Sequence, residues 1–335
     1  MADLKSNYLD LELKNPLMAS ASPLSKKVSL AKQLEDAGVS AIVMYSLFQE
    51  QIQYASKELD YFLSRGTDQF AEAITYFPDL GTYNVGVDAY LEEVRTLKEC
   101  LSIPIIGSLN GNTSGGWVEY AKKIEQAGAD ALELNIYDVP TNSSLSSQDF
   151  EQAYGDLVSD VRKQIHIPLA IKLSPFFTAL PSFASRLVKA GANSLVLFNR
   201  FIQPDLDIET LEVVPTLHLS TSEEIRLPLR WVAILHGRIQ ADLALTSGVH
   251  TANDVLRSVM AGANVTMIAS ELIAKGPGRA TEILADMEKW MAEFEYTSVR
   301  QMLGSMSQKA VADASAFERA NYMKALTSFD NRLRY

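Results

Sequence analysis

Four copies of one short pattern govern how this chain can fold. Ala37-Gly38-Val39-Ser40, Ala127-Gly128-Ala129-Asp130, Ala190-Gly191-Ala192-Asn193 and Ala261-Gly262-Ala263-Asn264 each lead into an apolar run. Each follows a stretch of helical spacing: Leu30 to Asp36, Tyr120 to Gln126, Phe183 to Lys189 and Val255 to Met260. A glycine in that place stops a helix in a left-handed cap, and the apolar run after it reads as a buried strand. Helix, glycine stop, short loop and strand make half of a βαβ unit, so the internal repetition predicts a chain assembled from such units.

Two further strands open on Ile-Pro, at Ile103-Pro104 and Ile167-Pro168, where proline costs no ladder donor. With an early strand at Leu17 to Ala21 and a late one at Ala241 to Thr246, the expected set is eight: 17–21, 40–45, 103–109, 131–136, 168–173, 194–198, 241–246 and 264–269. A last helix is expected from Ala280 to Phe294. Eight alternating units over about 270 residues fit an α/β TIM (β/α)8 barrel. A doubly wound sheet is the runner-up, because alternation alone does not fix closure. It is weakened by the lack of a Gly-x-Gly-x-x-Gly after the first strand. The expected organisation is one barrel domain, about 15–295, with a helical tail over 296–335 that is alanine-rich from Ala310 to Ala320. Two connections, Leu47 to Asp88 and Phe201 to Pro228, exceed ordinary loops and would rise on the C-terminal face, where barrel active sites lie.

A net charge of −11 argues against a nucleic-acid surface. No run approaches the ~18 apolar residues of a membrane span, and Met1 to Lys5 show no basic-then-apolar leader. A soluble, cytoplasmic protein with a small-molecule substrate is expected. The single cysteine, Cys100, excludes an internal disulfide and a cysteine-built metal site, and no metal is expected. At the end of a helical pattern it reads as a packing residue.

Ile167-Pro168-Leu169-Ala170-Ile171-Lys172-Leu173-Ser174-Pro175 is the anomalous strand. A strand of a buried parallel sheet should be almost continuously apolar, and burying an ammonium costs several kcal/mol unless something meets it. In a barrel the strand ends converge on one mouth. That gathers Ser20, Ala21, Ser46, Asn110, Asn135, Tyr137, Lys172, Asn199, Gly248, Ala269 and Ser270. Asparagines at strand ends often only make turns. Three of them with a lysine on successive strands suit a carbonyl-rich ligand. The small residues ending the last two strands sit where barrels often bind phosphate.

Several of these segments resemble the dihydroorotate dehydrogenase family of flavin-dependent barrels: Asn15 to Ser22, Glu133-Leu134-Asn135-Ile136, Ile171-Lys172-Leu173-Ser174-Pro175-Phe176-Phe177, Ser247 to Asp254 and Ala261-Gly262-Ala263. The resemblance implies a bound FMN. Lys172 would sit near the pyrimidine edge of the flavin and stabilise the anion formed on reduction. Asn135 and Asn199 would contact flavin or substrate, and Asn110 would lie beneath. Gly248, Ala269 and Ser270 would hold the phosphate, and Ser20, Ala21 and Ser46 would line the ring. A homodimer is implied, as in the nearer soluble relatives.

The departures concern the substrate side. The family places a cysteine or serine base just after the asparagine of the fourth strand; here stand Ile136-Tyr137-Asp138-Val139-Pro140. Tyr137 and Asp138 are the replacement candidates, and either needs environmental tuning to act as a base. Tyr45 replaces a second lysine, and the family's substrate loop is not recognisable around Tyr76 to Asn84. Its glycine-rich sixth loop is also missing, and Arg200 and Arg230 are candidates to add charge to the mouth. The expected function is an FMN-dependent CH–CH oxidoreductase of the dihydroorotate type, serving pyrimidine biosynthesis. Alternatives are a flavin protein with another substrate, or inactive toward dihydroorotate, and a lyase forming a Schiff base on Lys172. A flavoenzyme acting on RNA is disfavoured by the charge.

Overall fold

The computed structural model describes residues 2–50, 87–111, 118–200 and 202–330. Most of the first long connection, including Tyr76 to Asn84, lies outside them. Eight parallel strands close into a barrel: β1 (Leu17–Ala19), β2 (Ile42–Val43), β3 (Ile105–Asn110), β4 (Ala131–Asn135), β5 (Leu169–Leu173), β6 (Ser194–Leu197), β7 (Asp242–Thr246) and β8 (Val265–Ile268). Closure comes from Thr266 of β8 opposite Leu17 of β1, and Ile42 of β2 opposite Ile105 of β3. All eight expected strands are present, and the open-sheet alternative is excluded. β2 is shorter than its apolar run, because the chain leaves the ladder at Tyr45, whose N–H donates to Ser25 Oγ at 2.8 Å.

Helices α1 (Val28–Asp36), α2 (Val87–Cys100), α3 (Val118–Gln126), α4 (Ser147–Gln164), α5 (Leu180–Ala190), α6 (Arg226–Leu235) and α7 (Ala252–Ala261) are followed by the short α8 (Ser270–Lys275) and by α9 (Arg279–Glu293). The repeat is explained position by position. Its four glycines take φ of +100°, +97°, +116° and +120° at Gly38, Gly128, Gly191 and Gly262, a conformation costly for any residue with a Cβ. Its polar residue then serves a neighbouring strand. Asp130, Asn193 and Asn264 accept from the N–H of Ile105, Leu169 and Leu243 at 2.7, 2.9 and 3.0 Å. Ser40 donates to the carbonyl of Leu17 at 2.8 Å. Each copy therefore ends one helix and hydrogen-bonds a backbone group at the base of an adjacent strand; in the first copy the Ser40 N–H also donates to the Leu17 carbonyl, at 2.9 Å.

Side chains alternate along the strands. One set packs under the helices, and the other, including Met18, Val43, Ile106, Ala170, Val196, Ala244 and Met267, fills the interior. The bottom of that interior is sealed by a hairpin, Ser6–Tyr8 with Leu11–Leu13, that the periodicity does not announce. Tyr8 is fully buried, and its hydroxyl accepts from Ser194 Oγ at 3.0 Å. Burial pushes that phenol well above its usual range. Leu9 N–H donates to Asp242 Oδ2 at 2.8 Å.

The second long connection carries an exposed hairpin, Pro204–Asp207 with Glu212–Pro215, then a single helical turn, Ser222–Ile225. The tail is only partly helical. After Val299–Met302 it runs as turns whose amides dock on α6 and α7, with Gly304 N to Val259 O and Gln308 N to Ala233 O both at 2.9 Å. The alanine-rich part forms one tight turn, Ala314–Phe317, opened by Asp313, before a helix at Ala320–Asp330. Two expectations are corrected here. Cys100 is exposed, because α2 ends on it with its apolar side elsewhere. Arg230 does not serve the mouth; its Nε donates to the Phe317 carbonyl at 2.8 Å and ties down the tail.

Candidate active site

Lys172 sits one residue before the C-terminal end of β5, on the strand face that points into the barrel, and is 6% exposed. What makes its burial tolerable is Glu133 of β4, fully buried, whose Oε1 lies 3.3 Å from Lys172 Nζ. The other carboxylate oxygen, Oε2, has no hydrogen-bond partner among the described residues. Such a pair is compensated but not strongly stabilising, and breaking it by removing one partner is expensive. The ladder sets Asn135 directly opposite Lys172 and also opposite Asn110. Asn135 Oδ1 accepts from Asn199 Nδ2 at 2.9 Å, and Asn199 N–H is held by the Leu173 carbonyl at 2.7 Å.

A cavity of about 150 Å³ opens beside this row. Seven of the predicted residues line it: Ser20, Ala21, Lys172, Asn199, Gly248, Ala269 and Ser270. Asn135 reaches it through Asn199. Asn110 and Ser46 lie off its lining; Ser46 Oγ is 2.8 Å from Ser108 Oγ. Gly248 has φ +74°, and a Cβ there would strike the backbone of Glu224 and Ile225. Its absence therefore admits the helical turn of the second long connection, bringing Ser220 to the cavity wall. Arg200 also lines the cavity, but its guanidinium is engaged by Glu224, at 3.0 Å from Nε, and by the His218 carbonyl.

Tyr137 and Asp138 are not in that lining. They border a larger cavity, about 730 Å³, between the connections after β4, β5 and β6, with Ser174, Phe150, Tyr154 and Phe177. Tyr154 is pushed up by burial and then by the charge of Asp138. Tyr45 fills the place of the absent second lysine as a buried residue, donating to Glu93 Oε2 at 2.7 Å. Burial and that carboxylate raise its phenol far above the usual range.

Over residues 3–291 the chain matches the family model described as dihydroorotate dehydrogenase. The chain belongs to the dihydroorotate dehydrogenase family. Among its relatives, the catalytic subunit of dihydroorotate dehydrogenase B (NAD(+)) of Thermoplasma acidophilum is 25% identical over 308 residues, 91% of this chain and 99% of that one. Its namesakes in Geotalea uraniireducens and Methanocaldococcus jannaschii are both 26% identical, over 91% and 82% of this chain and 98% and 88% of their own. Dihydroorotate dehydrogenases are FMN-dependent oxidoreductases of the CH–CH group of dihydroorotate.

The small cavity fits the anionic end of such a cofactor. Two successive left-handed residues, Ser247 at φ +79° and Gly248 at +74°, with Ala269 and Ser270, give one part of its wall the small side chains that let an anionic group approach the backbone, and Lys172 and Asn199 line the same cavity. Its volume is below the ~300 Å³ of a whole ligand pocket, so it holds part of such a cofactor and not all of it.

The residues that sequence reasoning missed are Glu133, Ser220, His250, Glu271 and Arg279. For Glu133 a signal existed: a carboxylate in an otherwise apolar strand is as anomalous as the lysine it meets. The other four come from three connections, after β6, β7 and β8, and carried no joint signature.

Proposed function

We propose that this chain is an FMN-dependent oxidoreductase of CH–CH bonds, in which the flavin half of the family's site is kept and the proton-accepting half is rebuilt. The observation that carries the reading is Lys172, held by Glu133 within the barrel and opening on the same cavity as Gly248 and Ser270. FMN, when bound, supplies the hydride acceptor. Lys172 offers a fixed positive charge in a site of low dielectric, where such charge acts strongly on developing anions. Asn199, positioned by Asn135 and by Leu173, presents an amide to the ligand. Tyr137 and Asp138, beside the larger cavity, are the groups available to take the substrate proton. The substrate is a small molecule, and a homodimer in the cytoplasm is the assembly expected.

The ion pair disfavours the Schiff-base alternative, since the amine that would attack a carbonyl is already engaged by Glu133 Oε1 at 3.3 Å. A second reading within the family, a substrate other than dihydroorotate, has one specific support. Among the described residues the larger cavity is lined by aromatic and apolar groups and by uncharged polar ones such as Asn142 and Gln203, its charged lining residues are Asp138 and Glu151, and none of the lining residues is Lys or Arg. That is a poor setting for a substrate carboxylate.

The test is the visible spectrum of the purified full-length chain with FMN, before and after anaerobic addition of dihydroorotate. A bound flavin band that bleaches supports the first reading, and Asp138→Asn or Tyr137→Phe slowing the bleaching identifies the base. A bound flavin that dihydroorotate leaves unchanged supports the second. Failure to bind FMN refutes both.

A further inference from the structure

A hydrogen-bonded chain of three side chains runs from the second layer of the barrel into the small cavity. Ser220, 8% exposed, lines that cavity, and its N–H donates to Ser270 Oγ at 3.0 Å. Its Oγ lies 3.1 Å from His250 Nε2, and His250 Nδ1 lies 2.9 Å from Glu271 Oε2. Glu271, 4% exposed, also receives Arg279 Nε and Lys275 Nζ, both at 2.8 Å.

The charged groups around His250 are few and placed. Glu271 faces its Nδ1. Asp254, at the start of α7, accepts from its backbone N–H at 3.1 Å, with Arg257 3.8 Å from the same carboxylate. Arg279 donates to its carbonyl at 3.3 Å. Lys275 reaches it only through Glu271, and Glu282 only through Arg279. Across the cavity stand Lys172 and the Arg200–Glu224 pair.

Donor counting then leaves one free choice. Burial alone would raise the Glu271 carboxyl, but hydrogen bonds from Lys275, His250 and Arg279 outweigh it and bring it down to about 2. At neutral pH it is a carboxylate, which only accepts. Nδ1 of His250 therefore keeps its hydrogen whatever the charge of the ring, and only Nε2 varies. With a neutral ring, Nε2 is a bare acceptor. The Ser220 hydroxyl must give it its single hydrogen, turning oxygen lone pairs toward the cavity. With a charged ring, Nε2–H donates to Ser220 Oγ, and the hydroxyl hydrogen is released to point at whatever fills the cavity.

We propose that Ser220 and His250 form a proton-controlled positioning relay for a phosphate ester, in which one proton on His250 converts Ser220 from an acceptor to a donor toward the bound anion. The relay rests on the flavin reading above, since the ester concerned is that of FMN. Anion binding is strengthened as pH falls through the titration of His250, both by the reoriented hydroxyl and by the positive charge behind it. Neither residue touches the reacting atoms, so both are positioning residues.

The experiment compares FMN with riboflavin, which has the same ring and no phosphate, by fluorescence titration of the full-length chain between about pH 5.5 and 8.5. In the wild type the ratio of FMN to riboflavin affinity is expected to rise as pH falls, by about tenfold more than in His250→Gln or Ser220→Ala. Comparison with the variants cancels the titration of the flavin phosphate itself. The second readout is ¹⁵N imidazole NMR, tractable with four histidines in the chain. By linkage, the His250 signal should titrate about one pH unit higher with FMN than with riboflavin. Parallel pH profiles in wild type and variants, with the same His250 titration for both flavins, would overturn the relay and leave the flavin reading standing. Absence of binding of either flavin to the wild type at every pH would overturn both.

Discussion

The Lys172–Glu133 pair gives a test in which magnitude and sign both follow from the structure. Each charge is buried, and their separation is 3.3 Å. Lys172→Met strands the carboxylate, which must then hold a proton. An ordinary glutamic acid titrates near ~4.3, so neutralising it at pH 7 costs at most about 3.7 kcal/mol, at about 1.36 kcal/mol per pH unit. Glu133→Leu strands the ammonium. An ordinary lysine titrates near ~10.4, so discharging it at pH 7 costs at most about 4.6 kcal/mol. Both limits agree with the roughly 3–5 kcal/mol seen when one member of a buried pair is removed.

The two deficits run in opposite directions with pH. That of Lys172→Met shrinks as pH falls, because the carboxyl takes its proton more cheaply, and that of Glu133→Leu shrinks as pH rises. The double variant carries neither charge and should lie within about 1–2 kcal/mol of the wild type. Urea unfolding followed by far-UV circular dichroism, at one pH below and one above neutrality as well as at pH 7, measures all three. A single variant within about 1 kcal/mol of wild type at pH 7, or two deficits moving the same way with pH, would refute the pairing as the reason these groups are tolerated inside the barrel.

Two further outcomes follow from local geometry. Gly262→Ala places a Cβ at φ +120° and against the His236 ring; the backbone strain alone is roughly 1–2 kcal/mol, so calorimetry should show Tm lowered by at least about 1.5 °C, and an unchanged Tm would contradict the cap. The Glu271 carboxyl, lowered from 4.5 to about 2, contributes stability that is complete above 4.5 and is lost as pH falls toward 2. Glu271→Gln should therefore be less stable than wild type at pH 7, with a flatter stability profile between those values; a profile as steep as the wild type's would show that the carboxylate is not the titrating group.

What the sequence determined by itself was set by local physics. A helix that must stop needs a left-handed residue, and Gly38, Gly128, Gly191 and Gly262 announced four of the eight units, with the strands that follow them. Period and length then allowed the barrel to be counted, and the anomaly of Lys172 in an apolar strand marked the mouth. Even the polar residue of the repeat was visible, although its partner was not. What only the tertiary structure decided depends on register and closure, which bring together residues with no local relation. Glu133 meets Lys172 across 39 positions, and Ser220 meets His250 across 30. The hairpin around Leu9 became a barrel floor only because the strands left an open end for it to fill. Tyr137 and Asp138 lie just beyond Asn135 in the chain yet open on a different cavity from Lys172, because the chain after β4 leaves the ladder, where strand spacing no longer predicts direction. A sequence records which groups are costly to bury; the closed barrel determines which group meets each of them.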